Sequence, residues 1–347
     1  MSMINWDVAE RIGIATAGAG AGFTDLPGDL PALGVRAVEA VLATTALEPQ
    51  SALPEPEFVD RTAWVRANAK IMQATVAPLE RELGGQLASL PGPLRSVAGA
   101  AAGAEAGALI GYLGRRVLGQ YELSLVGDPA LDGPARLLLV APNLHESAGR
   151  LLVPLDDLLA WVLVHEVTHA VQFASAPWLR GHLGSLLTQM LETAEADLKG
   201  VTGGGLPSVG DVRRLWDAAR ERGVLGLVSG TERGAQLDMI QAAMALVEGH
   251  AEYVMDAAGV ALVADLPRLR VALDAGRNER SPFAALLERI LGLDLKLRQY
   301  REGRAFCDAV VARAGMDGLN AAFAGPDALP TLAELGDADH WVARVLV

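Results

Sequence analysis

Residues 161–173 read WVLVHEVTHAVQF. The surrounding run has the length and apolarity of a buried helix, yet His165, Glu166 and His169 stand in its middle. Each is awkward to bury. An ionisable group taken out of water must find a partner or change its protonation state. Any fold for this chain has to place these three groups where such partners exist.

A metal ion satisfies all three at once. Residues four apart lie on one helical face, with Cβ atoms roughly 5–6 Å apart. His165 and His169 can therefore reach one ion at a Zn–N distance of about 2.0–2.1 Å. Glu166 lies about 100° around the helix from His165. It can hold a metal-bound water without being a ligand, as a general base must. His-Glu-x-x-His is the two-ligand-plus-base pattern of zinc chemistry.

A catalytic zinc needs a third protein ligand and an open fourth position. His145, His182, His250, Glu192 and Glu195 are candidates, as is the segment LVEGHAEYVMD, residues 246–256. In that segment Glu248, Glu252 and Asp256 fall at i, i+4 and i+8. Like charges so spaced destabilise a helix unless a cation compensates them. Glu248 is the expected metal ligand. Glu252 is expected to orient a ligand histidine by accepting its free N–H. His250 lies roughly 200° from Glu248 and cannot share its ion. Tyr253, His250, Tyr300 and Arg304 are candidate donors to the oxyanion that forms when water attacks a carbonyl. Thr168 and Gln172 sit near the motif. Trp161, Phe173 and Trp178 read as packing residues.

The remainder of the chain predicts mostly helix. Ala and Leu are abundant and favour it. Helices are expected over 33–47, 61–84, 96–114, 155–174, 179–199, 211–222, 232–257 and 282–315, the last with a possible break at Gly292. The stretch 48–58 reads as a Pro-rich connector. YELSLV (121–126) and RLLLVA (136–141) carry the strand signals, with turn residues between them, which predicts a hairpin. LLLVAPN (137–143) is compatible with either a core strand or an edge strand open to an extended peptide. The fold class is therefore mainly α with a small sheet or hairpin. The expected organisation is a single domain over 1–347, with a helical part at 1–120 and the metal-site part at 121–347.

Composition narrows the partners. A formal charge of −13 over 347 residues argues against a nucleic-acid or anionic-membrane surface. One cysteine, Cys307, allows no internal disulfide and fits a reducing, cytoplasmic setting. It reads as a buried thiol rather than a nucleophile. No secretory signal is legible at the start. SVAGAAAGAEAGALIGYLG (96–114) is long enough to span a thin bilayer, but its Ala/Gly content and Glu105 favour a buried helix with a close-packed neighbour.

HEVTH followed by VEGHAEY resembles the gluzincin arrangement, in which a glutamate on a later helix completes the site. Zinc aminopeptidases of that clan carry a similar acidic-Gly-x-Ala-acidic-Tyr segment. Here about 78 positions lie between His169 and Glu248, far more than in those enzymes. The wider chain resembles an actinobacterial zincin-like family whose members are named as hydrolases or linked to biosynthesis of a deazaflavin coenzyme. The matching stretches are NWDVA (5–9), RTAWVRAN (61–68), LLLVAPNL (137–144), HEVTHAVQF (165–173), APWL (176–179), VEGHAEYVMD (247–256), LKLRQYREGRAF (295–306) and DADHWVARV (337–345). The resemblance implies a zincin-like core in a helical fold. The function it points to is a Zn2+-dependent hydrolase of a peptide or other amide, with Glu166 as base. The alternative is an inactive, zincin-like binding or regulatory protein. A role in deazaflavin metabolism rests on the family's label alone. Oligomeric state is not legible.

Overall fold

A computed structural model describes residues 3–20, 29–88, 91–122, 125, 135–201, 231–275 and 297–347. The described chain runs α1 (Trp6–Ala17), α2 (Leu30–Thr45), β1 (Pro56–Val59), α3 (Arg61–Ala88), α4 (Gly92–Gly114), β2 (Gly119–Glu122) and β3 (Arg136–Val140). It continues with α5 (Ala141–Leu151), α6 (Leu155–Ser175), α7 (Pro177–Val201), α8 (Thr231–Gly259), α9 (Leu266–Ala275) and α10 (Leu297–Asn320). Two short 3-10 turns follow, then α11 (Leu332–Leu335) and α12 (Ala338–Val345). The fold is mainly helical with a small mixed sheet, as the sequence predicts.

The sheet has the order β1–β3–β2. β2 and β3 pair antiparallel, with Tyr121 opposite Leu137. β1 pairs parallel to β3, with Val59 opposite Val140. One expectation changes here: the Pro-rich stretch 48–58 contains most of a strand. Of the two readings open for 137–143, the core strand is the one observed, since β3 is central in the sheet. Its burial on both faces explains its uninterrupted apolar run. Leu137 and Leu139 pack with α2, α5, α6 and α8, whereas Leu138 and Val140 pack with Trp64, Val65 and Ile110 of α3 and α4.

α6 carries the motif through the middle of the molecule. Asp156 and Asp157 stand in its first turn, where negative charge complements the helix dipole. Asp157 also accepts from the Ala264 N–H at 2.9 Å, tying α6 to the segment before α9. α6 ends at Ser175, and Pro177 opens α7 in the first-turn position proline tolerates. A third cluster joins α7, α8, α10 and α12 through Leu183, Met244, Leu246, Phe306 and Trp341. Cys307 lies in that cluster, and burial pushes its thiol pKa up.

Among the described helices, α4 is the one long and apolar enough to cross a membrane. Only about a third of it is buried, so the expected burial holds for one face alone. Gly99, Gly103, Gly107 and Gly111 face inward. Cβ atoms on the last three would strike backbone of Asn5, Ala9 and Gly13, so small residues let α1 lie against α4. Leu94, Val97 and Tyr112 face outward. The expected helix over 211–222, the side chains of Glu192 and Glu195, and the region around Gly292 lie outside the described residues.

Candidate metal centre

α6 packs against both β2 and α8, and the three helical donors meet where α6 faces α8. His165 Nε2 and His169 Nε2 lie 3.1 Å apart. Glu248 Oε2 lies 3.8 Å from the first and 3.9 Å from the second. Among the described residues these three are grouped closely enough to hold one metal ion. A point equidistant from three atoms so spaced lies about 2.1 Å from each, the distance at which zinc is held by imidazole. The donor set and its spacing fit the ion.

Each ring is turned so that Nε2 faces this point. His165 Nδ1 sits 3.1 Å from the Met255 thioether. The thioether can accept from the imidazole but has no proton to give it. His169 Nδ1 donates to Gln172 Oε1 at 2.9 Å. With its proton on Nδ1, His169 turns the Nε2 lone pair toward this point, 3.1 Å from His165 Nε2. Burial, with a smaller contribution from His169, holds the His165 pKa well below its ordinary value. The imidazole is therefore neutral, as a ligand must be.

Glu166 lies beside the cluster but points to the sheet. Its Oε2 accepts the Tyr121 N–H at 2.7 Å. Burial raises its pKa to about 7, with Glu248 adding to the rise, against the opposing effects of His169 and the Tyr121 N–H. Gly119 makes this approach possible. A Cβ there would stand 2.7 Å from Val162 Cγ1 and 2.8 Å from Glu166 Cγ, so only glycine lets β2 lie on α6. The Tyr121 ring continues along the helix and stacks on Phe173, 6.0 Å between centroids.

α8 presents Glu248 from an interior helix. Residues 242–251 are all buried. Asp256 takes no part in the metal cluster. It pairs with Arg270 of α9 and with Arg304 of α10, the latter at 2.5 Å. Arg304 also bonds the Glu252 carbonyl at 2.9 Å and Asp308 at 2.9 Å. The carboxylate ladder is thus compensated in two places, by arginines at Asp256 and by the histidine cluster at Glu248.

Other expected roles shift as well. The histidine Nδ1 atoms meet Met255 and Gln172, so the orienting role expected of Glu252 falls to those residues. His250 is fully buried between Gln172 of α6, 2.8 Å from its Nδ1, and Phe323, whose ring is 5.1 Å away. Burial, then His169, pushes its pKa down to about 3. It is not one of the grouped donors, and its Nδ1 is taken up by the Gln172 amide. Arg304 is committed to carboxylates. Tyr253 stands beside Arg304, 5.5 Å from guanidinium to ring. The side chain of Tyr300 lies outside the described residues. His145 is exposed on α5, and His182 lies against Trp178 on α7.

Known proteins bear on this geometry. A profile described as zincin-like metallopeptidase matches residues 4–342. The chain belongs to the zincin-like metallopeptidase family. A solved structure from Chloroflexus aurantiacus, described as a candidate hydrolase with a novel fold, superposes with a TM-score of 0.71. It is 24% identical, and the match covers 98% of each chain. That likeness shows the fold of this zincin-like protein. No curated protein matches it.

Proposed function

We propose that this zincin-like protein is a zinc-dependent hydrolase of an amide, most simply a peptide bond. The convergence of His165 Nε2, His169 Nε2 and Glu248 Oε2 around one point carries the reading. These three residues would hold the ion. Bound there, zinc supplies Lewis acidity and lowers the pKa of water to near 7.

The chain's own residues provide the rest. Glu166 Oε2 is engaged by Tyr121, which leaves Oε1 to take a proton from water and pass it to the leaving amine. The Tyr121 N–H fixes the carboxylate in that orientation. β2 is an edge strand among the described residues. An extended peptide laid beside it would run past Glu166 and the two imidazoles. The single buried cysteine fits a reducing cytoplasm.

The test compares wild type with Glu166→Gln in a peptide-library cleavage assay, both loaded with zinc. Cleavage by wild type, lowered about 10²–10⁴-fold in the variant, supports the reading. Equal behaviour of the two returns the site to a binding role.

A further inference from the structure

Gln172 is fully buried on α6, and its amide touches three groups. Nε2 lies 2.9 Å from the Val247 carbonyl oxygen and 2.8 Å from His250 Nδ1. Oε1 lies 2.9 Å from His169 Nδ1. The contacts determine one another. A backbone carbonyl only accepts, so the nitrogen of the amide must face Val247. Its oxygen then faces His169, whose Nδ1 must carry the proton. The lone pair of His169 is thereby left on Nε2, toward Glu248. The second amide N–H goes to His250 Nδ1, so His250 carries its proton on Nε2, which has no hydrogen-bond partner among the described residues.

We propose that Gln172 is a positioning residue that couples the seating of α8 to the tautomer of His169, and so sets the metal affinity of the site. The proposal rests on the metal reading above. Free imidazole in histidine prefers its proton on Nε2, the wrong atom for this site. A hydrogen bond at the other nitrogen decides the tautomer. Here that bond comes from an amide whose own orientation is dictated by residue 247, the neighbour of ligand Glu248. When α8 is in place, the carbonyl turns the amide, the amide turns the proton, and both ligand helices are ready together. A carboxylate at 172 would accept from His169 but could not donate to Val247. An aliphatic side chain would do neither. His250 completes the arrangement as the second acceptor, through its Nδ1.

The test uses the full chain as wild type, Gln172→Leu and Gln172→Glu. Imidazole ¹⁵N chemical shifts in metal-free protein report the His169 tautomer, and chelator competition gives zinc affinity. In wild type the proton resides on Nδ1. In Gln172→Leu it moves toward Nε2, and zinc affinity falls about 10–100-fold. Gln172→Glu keeps the proton on Nδ1, which separates tautomer control from packing and serves if the leucine variant does not fold. A wild-type His169 protonated on Nε2 overturns the proposal. So does a folded Gln172→Leu with wild-type tautomer and affinity. If the tautomers behave as stated but wild type binds no zinc, the metal reading fails while the role of Gln172 in the tautomer stands.

Discussion

Gly249 of α8 and Gly303 of α10 meet backbone to backbone, one residue from Glu248. A Cβ on Gly249 would collide with the Gly303 carbonyl, and one on Gly303 with the Ala245 carbonyl. The helices can cross this closely only because both positions lack side chains. The crossing also brings Arg304 to Asp256. The placement of Glu248 thus depends on two glycines that touch no ligand.

Gly249→Ala is expected to destabilise the protein. Alanine is the better helix former by about 1 kcal/mol. Yet the atoms its Cβ meets are backbone, which cannot rotate away, and overpacking of this kind costs about 1–3 kcal/mol. Thermal denaturation should show a lower midpoint, with weaker zinc binding at temperatures where the variant is folded. Gly234→Ala on the same helix is the control, since nothing lies within 4 Å of its Cβ position. It should leave the midpoint unchanged or raise it.

Gly119→Ala should separate catalysis from metal binding. The added methyl meets Val162 and the Glu166 side chain, at 2.7 to 3.0 Å, and none of the three donors. Displacing the base by about 1 Å costs on the order of 10²-fold in rate. Turnover of a cleaved peptide should therefore drop far more than zinc affinity. Equal losses in both would show that β2 supports the whole cluster rather than the base.

Glu334 gives a pH prediction away from the site. It caps α11 by accepting from the Thr331 N–H at 2.9 Å, and it pairs with Arg344 at 2.7 Å. Burial alone would raise its pKa, but Arg344 and the Thr331 bonds together hold it below the ordinary value. A depressed carboxylate pKa stabilises the fold well above the ordinary value of 4.5, and the contribution is lost as pH falls through the lower folded value. Glu334→Gln should cost about 2 kcal/mol at neutral pH. The gap to wild type in denaturant titrations should close on acidification. A gap that widens in acid contradicts this account.

What the sequence disclosed follows from what periodicity can carry. The spacing of His165 and His169, and the apolar run before Glu248, specify helices and faces locally. Most helix positions were legible for the same reason, but α1 and α5, both outside the expected helices, were not. Partners brought by other elements were not. Asp256 looked like part of a metal-bound ladder because Arg270 and Arg304 arrive from α9 and α10. β1 is four residues long, begins with proline and pairs with a strand about eighty positions away, so no local pattern marks it. Gly119 and Gln172 are individually ordinary. Their roles exist only once β2 lies on α6 and α8 lies beside it.

The most direct test of the central claim is zinc binding with X-ray absorption on wild type and Glu248→Gln. The account predicts one zinc per chain in wild type, with two imidazole nitrogens and a carboxylate oxygen at about 2.0–2.2 Å. It predicts a marked loss of affinity in the variant. Zinc held equally well by Glu248→Gln, or a wild-type ion without two imidazoles around it, would contradict it.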